Sequence, residues 1–453
     1  MHVTLDGCHR DTPPSHPESQ ISSNDRGRFA AAVVYNASKA VVSAFTEDKD
    51  VALLQGGKRG KARMAATADE LSPREYRRIH RLLLRSRRSA GRENEPIPKH
   101  YLQLPAEELD ERIAAVRQEL GERVLILGHH YQRDEVIKYA DLRGDSYKLA
   151  TFAANRRDAE YIIFCGVHFM AESADILTAS NQSVILPNPT AGCSMADMAD
   201  IDDIVECWEQ LTDAVGESIV PITYMNSTAA LKAFCGAHGG IVCTSSNAAA
   251  VYEWAMARGE KILFFPDQHL GRNTGLKFGI PLDEMVVWDP AEPVLGGNSE
   301  ADVQNSKVIL WKGWCSVHTR FTVKQVEFAR RQHPDVNVIV HPECPMEVVQ
   351  AADYNGSTEF ILKTITEAPA GTAWSVGTEI NMVNRMATEN PDKKIFCLDP
   401  IVCPCSTMYR IHPAYVAWVM EDLLEDKVTN QVSVDPDVAH WAVVSLERML
   451  TVH

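Results

Sequence analysis

From residue 101 onward, short apolar runs recur, each followed by a polar loop and a stretch with helical spacing. They are VLILGHHY (124–131), YIIFCGVHF (161–169), SVILPNP (183–189), SIVPITYMNS (218–227), GIVCTSS (240–246), KILFFPD (261–267), KVILWKGWC (307–315), VNVIVHPEC (336–344), TEFILK (358–363), TAWSVGTE (372–379) and KKIFCLD (393–399). Runs that are apolar throughout, rather than alternating, suit strands buried on both faces, and the helical stretches between them supply the cover. The pattern predicts an α/β fold with parallel sheets. So many strands divide more comfortably into three sheets of about four than into one. The expected division is 101–190, 191–310 and 311–453, each a three-layer α/β/α domain. The segment AEELDERIAAVRQELG, with Leu109, Ile113, Val116 and Leu120 at helical spacing and Gly121 as terminator, predicts a helix leading into the first of them.

Charge excludes some partners. Residues 1–100 hold 18 Lys and Arg against 12 Asp and Glu, a net of +6, which leaves 27 against 49, a net of −22, for the rest. A body this acidic is a poor nucleic-acid surface, because neutralised phosphates supply most of such binding. Residues 1–100 read as an extension with little hydrophobic period, either a solvated, partly disordered arm or a targeting or polyanion-binding one. Met64 is an alternative start. The most apolar stretch there, FAAAVVYNASKAVVSAF (29–45), is broken by Tyr35, Asn36, Ser38 and Lys39, so no membrane span and a cytoplasmic location are expected.

In sheets of this kind ligands gather outside the carboxyl ends of the strands. The residues just after the apolar runs include His129, Tyr131, Met170, Cys193, Tyr224, Asn226, Ser245, Cys315, His341, Glu343, Ser357, Thr358, Glu379 and Cys405. Eleven cysteines without a secretory leader point to reduced thiols. Three stand out, one per third of the chain: Cys193, Cys315, and either Cys403 or Cys405 of IVCPCSTM. They lack the paired spacing of a structural zinc site, and three soft thiolates converging from separate loops suit an iron–sulfur cluster with one open iron.

Taken in order, GHHYQRDEVIKYADLRGDSYKLA, FCGVHFMAESADIL, AGCSMADM, ITYMNSTAALKA, VCTSSNA, FFPDQHLGRNT, WKGWCSVH, HPECPMEVV, YNGSTEFI and VGTEINMVNRM resemble the successive motifs of the quinolinate synthase family, from about Tyr101 to Leu424. The resemblance implies three homologous α/β/α domains around a pseudo-threefold axis and a 4Fe-4S cluster held by one cysteine from each. It implies condensation of iminoaspartate with dihydroxyacetone phosphate to quinolinate, phosphate and water, in de novo NAD synthesis. A transient contact with the aspartate oxidase or dehydrogenase that makes iminoaspartate is a further expectation.

By the same resemblance His129, Tyr131 and Ser146 face the substrate, and Ser245, Ser357 and Thr358 give hydroxyl donors to its anionic oxygens. Tyr224 and Asn226 meet the triose-derived part. Tyr224, His341, Glu343 and His129 handle protons, and Met170 lines the cavity. The C-x-x-M spacing from Cys405 to Met408 selects Cys405 over Cys403 as third ligand. Blander readings stand beside these: Ser146 as a helix cap, Asn226 and Thr228 as turn and cap residues, Glu379 as a structural contact, His318 as a structural or wall residue. His130 stands where the family often has asparagine. Competing functions are an aconitase-type iron–sulfur hydro-lyase, a cluster-storage or redox-sensing protein, and a Schiff-base aldolase using Lys312.

Overall fold

The computed structural model describes residues 96–452 apart from 217, 402 and 403, so the N-terminal extension before residue 96, and Cys403, lie outside it. The described chain is α/β, with three sheets that are parallel except for one short edge strand. The first is built from β1 (Val124–His129), β2 (Leu142–Gly144), β3 (Tyr161–Cys165) and β4 (Ser183–Ile185). The second contains β5 (Ile219–Tyr224), β6 (Ile241–Cys243), β7 (Lys261–Phe265), β8 (Met285–Trp288) and β9 (Val308–Trp311). The third contains β10 (Val336–Val340), β11 (Tyr354–Asn355), β12 (Ala373–Gly377) and β13 (Lys394–Cys397).

The three sheets repeat one topology. Their orders are β2-β1-β3-β4, β6-β5-β7-β9-β8 and β11-β10-β12-β13, so each sheet's first strand lies between its second and third. That arrangement opens a crevice at the carboxyl end of the first strand, where the crossover connections depart to opposite sides. Central strands are buried along their whole length, β1 and β5 at every residue, which is why their sequences read as continuous apolar runs.

The expected lead-in helix spans Ala106–Leu120, buries the four anticipated residues, and stops at Gly121, whose φ of 55° suits glycine. TEFILK is a correction: it is not a strand but the start of the helix Thr358–Glu367. Ser357 caps it by accepting the Phe360 N–H, and Ile361 and Ile365, four apart, form its buried stripe. The strand that pairs there, β11, is the two residues Tyr354–Asn355 just before it.

After the third sheet the chain returns to the other two. The helix Pro413–Leu424 joins the core of the first sheet and its lead-in helix, and β14 (Gln431–Val432) adds antiparallel to β4. The last helix, Pro436–Leu450, packs against Ala229–Ala237 of the second. This contact is close: a Cβ on Gly236 would sit 1.9 Å from the Trp441 carbonyl oxygen. No side-chain rotation relieves a clash with backbone, so Gly236→Ala is expected to destabilise by about 1–3 kcal/mol, read as a lowered thermal midpoint.

Candidate active site

The crevices of the three sheets open onto one cavity of about 90 Å³, and each sheet contributes the same three kinds of position to it. At or just past the ends of the first strands come His129 with Tyr131, Tyr224 with Asn226, and His341 with Glu343, all on its wall. After the second strands come Ser146, Ser245 and Thr358, hydroxyl residues at or just ahead of helix N-termini. The first sheet adds a further kind: after its third strand the helix at His168 brings Met170 to the wall. After the last parallel strand of each sheet come Cys193, Cys315 and Cys405. Ser357 stands apart: it is the helix cap already described and does not line the cavity.

The cysteine loops are copies of one another. Each reads Cys-Ser, forms a 3₁₀ turn beginning three residues on (Ala196–Met198, His318–Arg320, Met408–Arg410), and ends seven residues on at a helix cap, Asp200, Thr322 or His412. In each the cysteine carbonyl accepts the N–H four residues later, at 2.9, 3.1 and 2.9 Å. Cys405 is thus in register with the other two. The repeat was legible in the sequence as Cys-Ser followed by a capping residue, and Cys403, followed by proline, does not match it.

Burial sets the protonation of the wall. It pushes the His129 and His341 imidazoles down to about 3, so both are neutral near pH 7. In each the Nδ1 accepts the backbone N–H two residues on, at 3.1 Å from Tyr131 and 3.4 Å from Glu343. An accepting Nδ1 leaves the proton on Nε2, so both rings offer an Nε2–H donor. Burial likewise raises the Tyr131 and Tyr224 hydroxyls well above their usual range and keeps them protonated. Glu343 is the exception. Burial opposes its charge, but His341, His318 and the facing Tyr224 hydroxyl outweigh that and hold the carboxyl down at about 2.

His318 belongs to this network. Its Nδ1 donates to Glu343 at 2.7 Å, its ring stacks on His341 at 4.6 Å, and its Nε2 lies 3.1 Å from Thr378 Oγ1, which is 2.8 Å from the Tyr131 hydroxyl. It is the wall-side support of Glu343. The signal missed was its place as the first residue of the second cysteine loop's 3₁₀ turn.

The helix Ile380–Glu389 braces two wall segments from behind. Its cap, Glu379, accepts the N–H groups of Asn381 and Met382 and, at 3.2 Å, that of Cys405. Arg385, 8% exposed, donates to the carbonyls of His130 at 2.9 Å and Gln132 at 2.6 Å and pairs with Asp134. His130 turns away from this brace to Glu359, 2.9 Å off, which Lys148 also meets at 3.0 Å. Ser146 is not the cap of its helix: Asp145 accepts the Lys148 N–H and leaves Ser146 on the wall. Thr228 does act as a cap. Lys312 pairs with Asp289, is half exposed, and is absent from the wall, so it offers no Schiff base there.

A family model described as quinolinate synthetase A protein matches residues 111–451. Curated relatives named quinolinate synthase include one from Corynebacterium glutamicum, 58% identical over 371 residues, covering 80% of this chain and 94% of the relative. Another from Anoxybacillus flavithermus is 54% identical over 358 residues, covering 79% and 97%. The chain belongs to the quinolinate synthetase A family. It is therefore an enzyme, of a family that serves NAD biosynthesis. Among the described residues of this member no helix is long and apolar enough to cross a membrane.

The neutral imidazoles give a pH expectation. Both already sit near 3, so acidification from pH 8 to 5 protonates neither, and kcat/KM should show no imidazole limb near 6.5. An inflection there that vanishes in His341→Asn would contradict this assignment.

Proposed function

We propose that this cavity condenses iminoaspartate with dihydroxyacetone phosphate to quinolinate, phosphate and two waters, with a 4Fe-4S cluster held by Cys193, Cys315 and Cys405. The observation that carries the reading is the meeting of three equivalent cysteine loops with neutral donors and the ionised Glu343 carboxylate on a single cavity. The donor set fits the group: three soft thiolates, one per sheet, and no fourth cysteine on the described wall. A single ion on Cys315, His318 and Glu343, whose ligand atoms lie within 4.8 Å of one another, is the rival. It is disfavoured because His318 and Glu343 already hydrogen-bond each other, and it leaves the other two cysteine loops without a role. When bound, a cluster with three cysteine ligands supplies one iron free to act as a Lewis acid.

The chain's own residues do the rest. The substrates bring carboxylates and a phosphate, and Nε2–H of His129 and His341, the hydroxyls of Tyr131, Ser146, Ser245 and Thr358, and Asn226 hold such oxygens without adding fixed cations on the wall. The helices beginning at Ser146 and Thr358 direct their positive ends the same way. Glu343, ionised and 2% exposed, is the base that removes carbon-bound protons, and the facing Tyr224 hydroxyl is the acid that returns one to a departing oxygen. Burial also keeps bulk water from the imine, which hydrolyses readily.

Anaerobically purified protein with a full iron and sulfide count should form quinolinate from the two substrates. No product from such a preparation would overturn the reading, and simple hydration of a carboxylic acid would favour a hydro-lyase. Alanine at Cys193, Cys315 or Cys405 should abolish cluster and activity, whereas Cys403→Ala should retain the iron. Glu343→Gln should keep the cluster and lower kcat by about 10²–10⁴-fold.

A further inference from the structure

Lys232 is fully buried on the helix Ala229–Ala237, a costly place for an ammonium. It makes no ion pair: among the described residues no carboxylate lies within 4.0 Å of it. Its Nζ instead donates to the carbonyl of Met225 at 2.9 Å, to the carbonyl of Ser227, and reaches the Ser227 hydroxyl at 3.5 Å. Those carbonyls flank Asn226, which lines the cavity. The ammonium also lies 5.6 Å from the ring centre of Phe169, another wall residue, so only one layer of side chain and one turn of backbone separate it from the cavity.

In a trans peptide the C=O and N–H point in opposite directions. With the Met225 carbonyl drawn to Lys232, the Asn226 N–H is turned away from the ammonium, and it donates to no acceptor among the described residues. The geometry points to Lys232 as a positioning residue for an anionic group of the substrate: it fixes the Met225–Ser227 turn so that the Asn226 N–H faces the cavity, and its charge, with no carboxylate in contact, adds to the attraction for the bound anion. Burial pushes this ammonium down to about 8, with Glu172 the larger and Cys235 the smaller opposing influence. A preorganised backbone donor backed by a buried positive charge serves carboxylate or phosphate oxygens alike.

This inference rests on the proposed reaction, and quinolinate, a dianion, is the probe. The holoenzyme and its Lys232→Met and Lys232→Gln variants are compared for iron content, melting temperature, quinolinate affinity, kcat and KM. Lys232→Met with full iron should bind quinolinate about tenfold more weakly and show the loss mainly in KM, with Lys232→Gln, which keeps an N–H donor, between it and the native protein. Either variant binding within twofold of the native protein, with its iron intact, overturns the role. So does loss of the cluster in both, because the turn then supports the fold and not the anion. Failure of the unaltered holoenzyme to bind quinolinate would instead count against the reaction itself.

Discussion

Everything in this molecule depends on holding the carboxyl ends of three separate sheets against one small cavity. Apolar packing contributes, since the helices Pro413–Leu424 and Pro436–Leu450 join the cores of the first and second sheets, but it does not fix direction. The direction of each strand end is set by side chains of one unit bonded to the backbone of another. Arg385 holds the His130 and Gln132 carbonyls, Asn273 holds those of Pro342 and Cys344 at 2.9 Å, and Glu172 accepts the Ala229 N–H at 2.9 Å. The cysteine loops are tied likewise: Trp311 Nε1 donates to the Met198 carbonyl, and Arg410 to that of Thr190. Each such bond contributes about 1 kcal/mol, up to about 3 where a charge is involved, but its direction matters more than its size. Apolar contacts tolerate sliding, whereas these bonds fix the angle at which each strand end meets the cavity.

The same enclosure explains the electrostatics. Burial keeps the His129 and His341 imidazoles and the Tyr131 and Tyr224 hydroxyls neutral, while Glu343 is held as a carboxylate with His318 donating to it. A wall of neutral donors with one internal base can bind dianions and still move protons, which a cluster of arginines would hinder by ion pairing with the base. The positive charge that the anions need is set one layer back, at Lys232, where it cannot neutralise Glu343 directly.

Much of this was legible beforehand because burial on both faces leaves a plain trace in composition. The central strands appeared as apolar runs, and the residues just past them, from His129 to Glu343, were those that reached the cavity. The reading failed where local pattern was ambiguous. TEFILK carries both a strand-like composition and a helical stripe, and only the cap at Ser357 separates the two. His318 was readable only as a structural or wall residue, because the partners that define its role, Glu343 and Thr378, lie 25 and 60 residues away in the chain. Lys232 gave no signal, since a lysine on a helix reads as solvent-facing until the tertiary fold covers it.

What the sequence determined alone was the repeated strand, loop and helix unit, with a cysteine at an equivalent place in each sheet, because strand burial and helix capping are properties of a few consecutive residues. What only the tertiary structure decided was which protonation states the wall carries and which distant groups support it. Those follow from desolvation and from hydrogen bonds between units, which depend on every sheet at once and are written in no single segment.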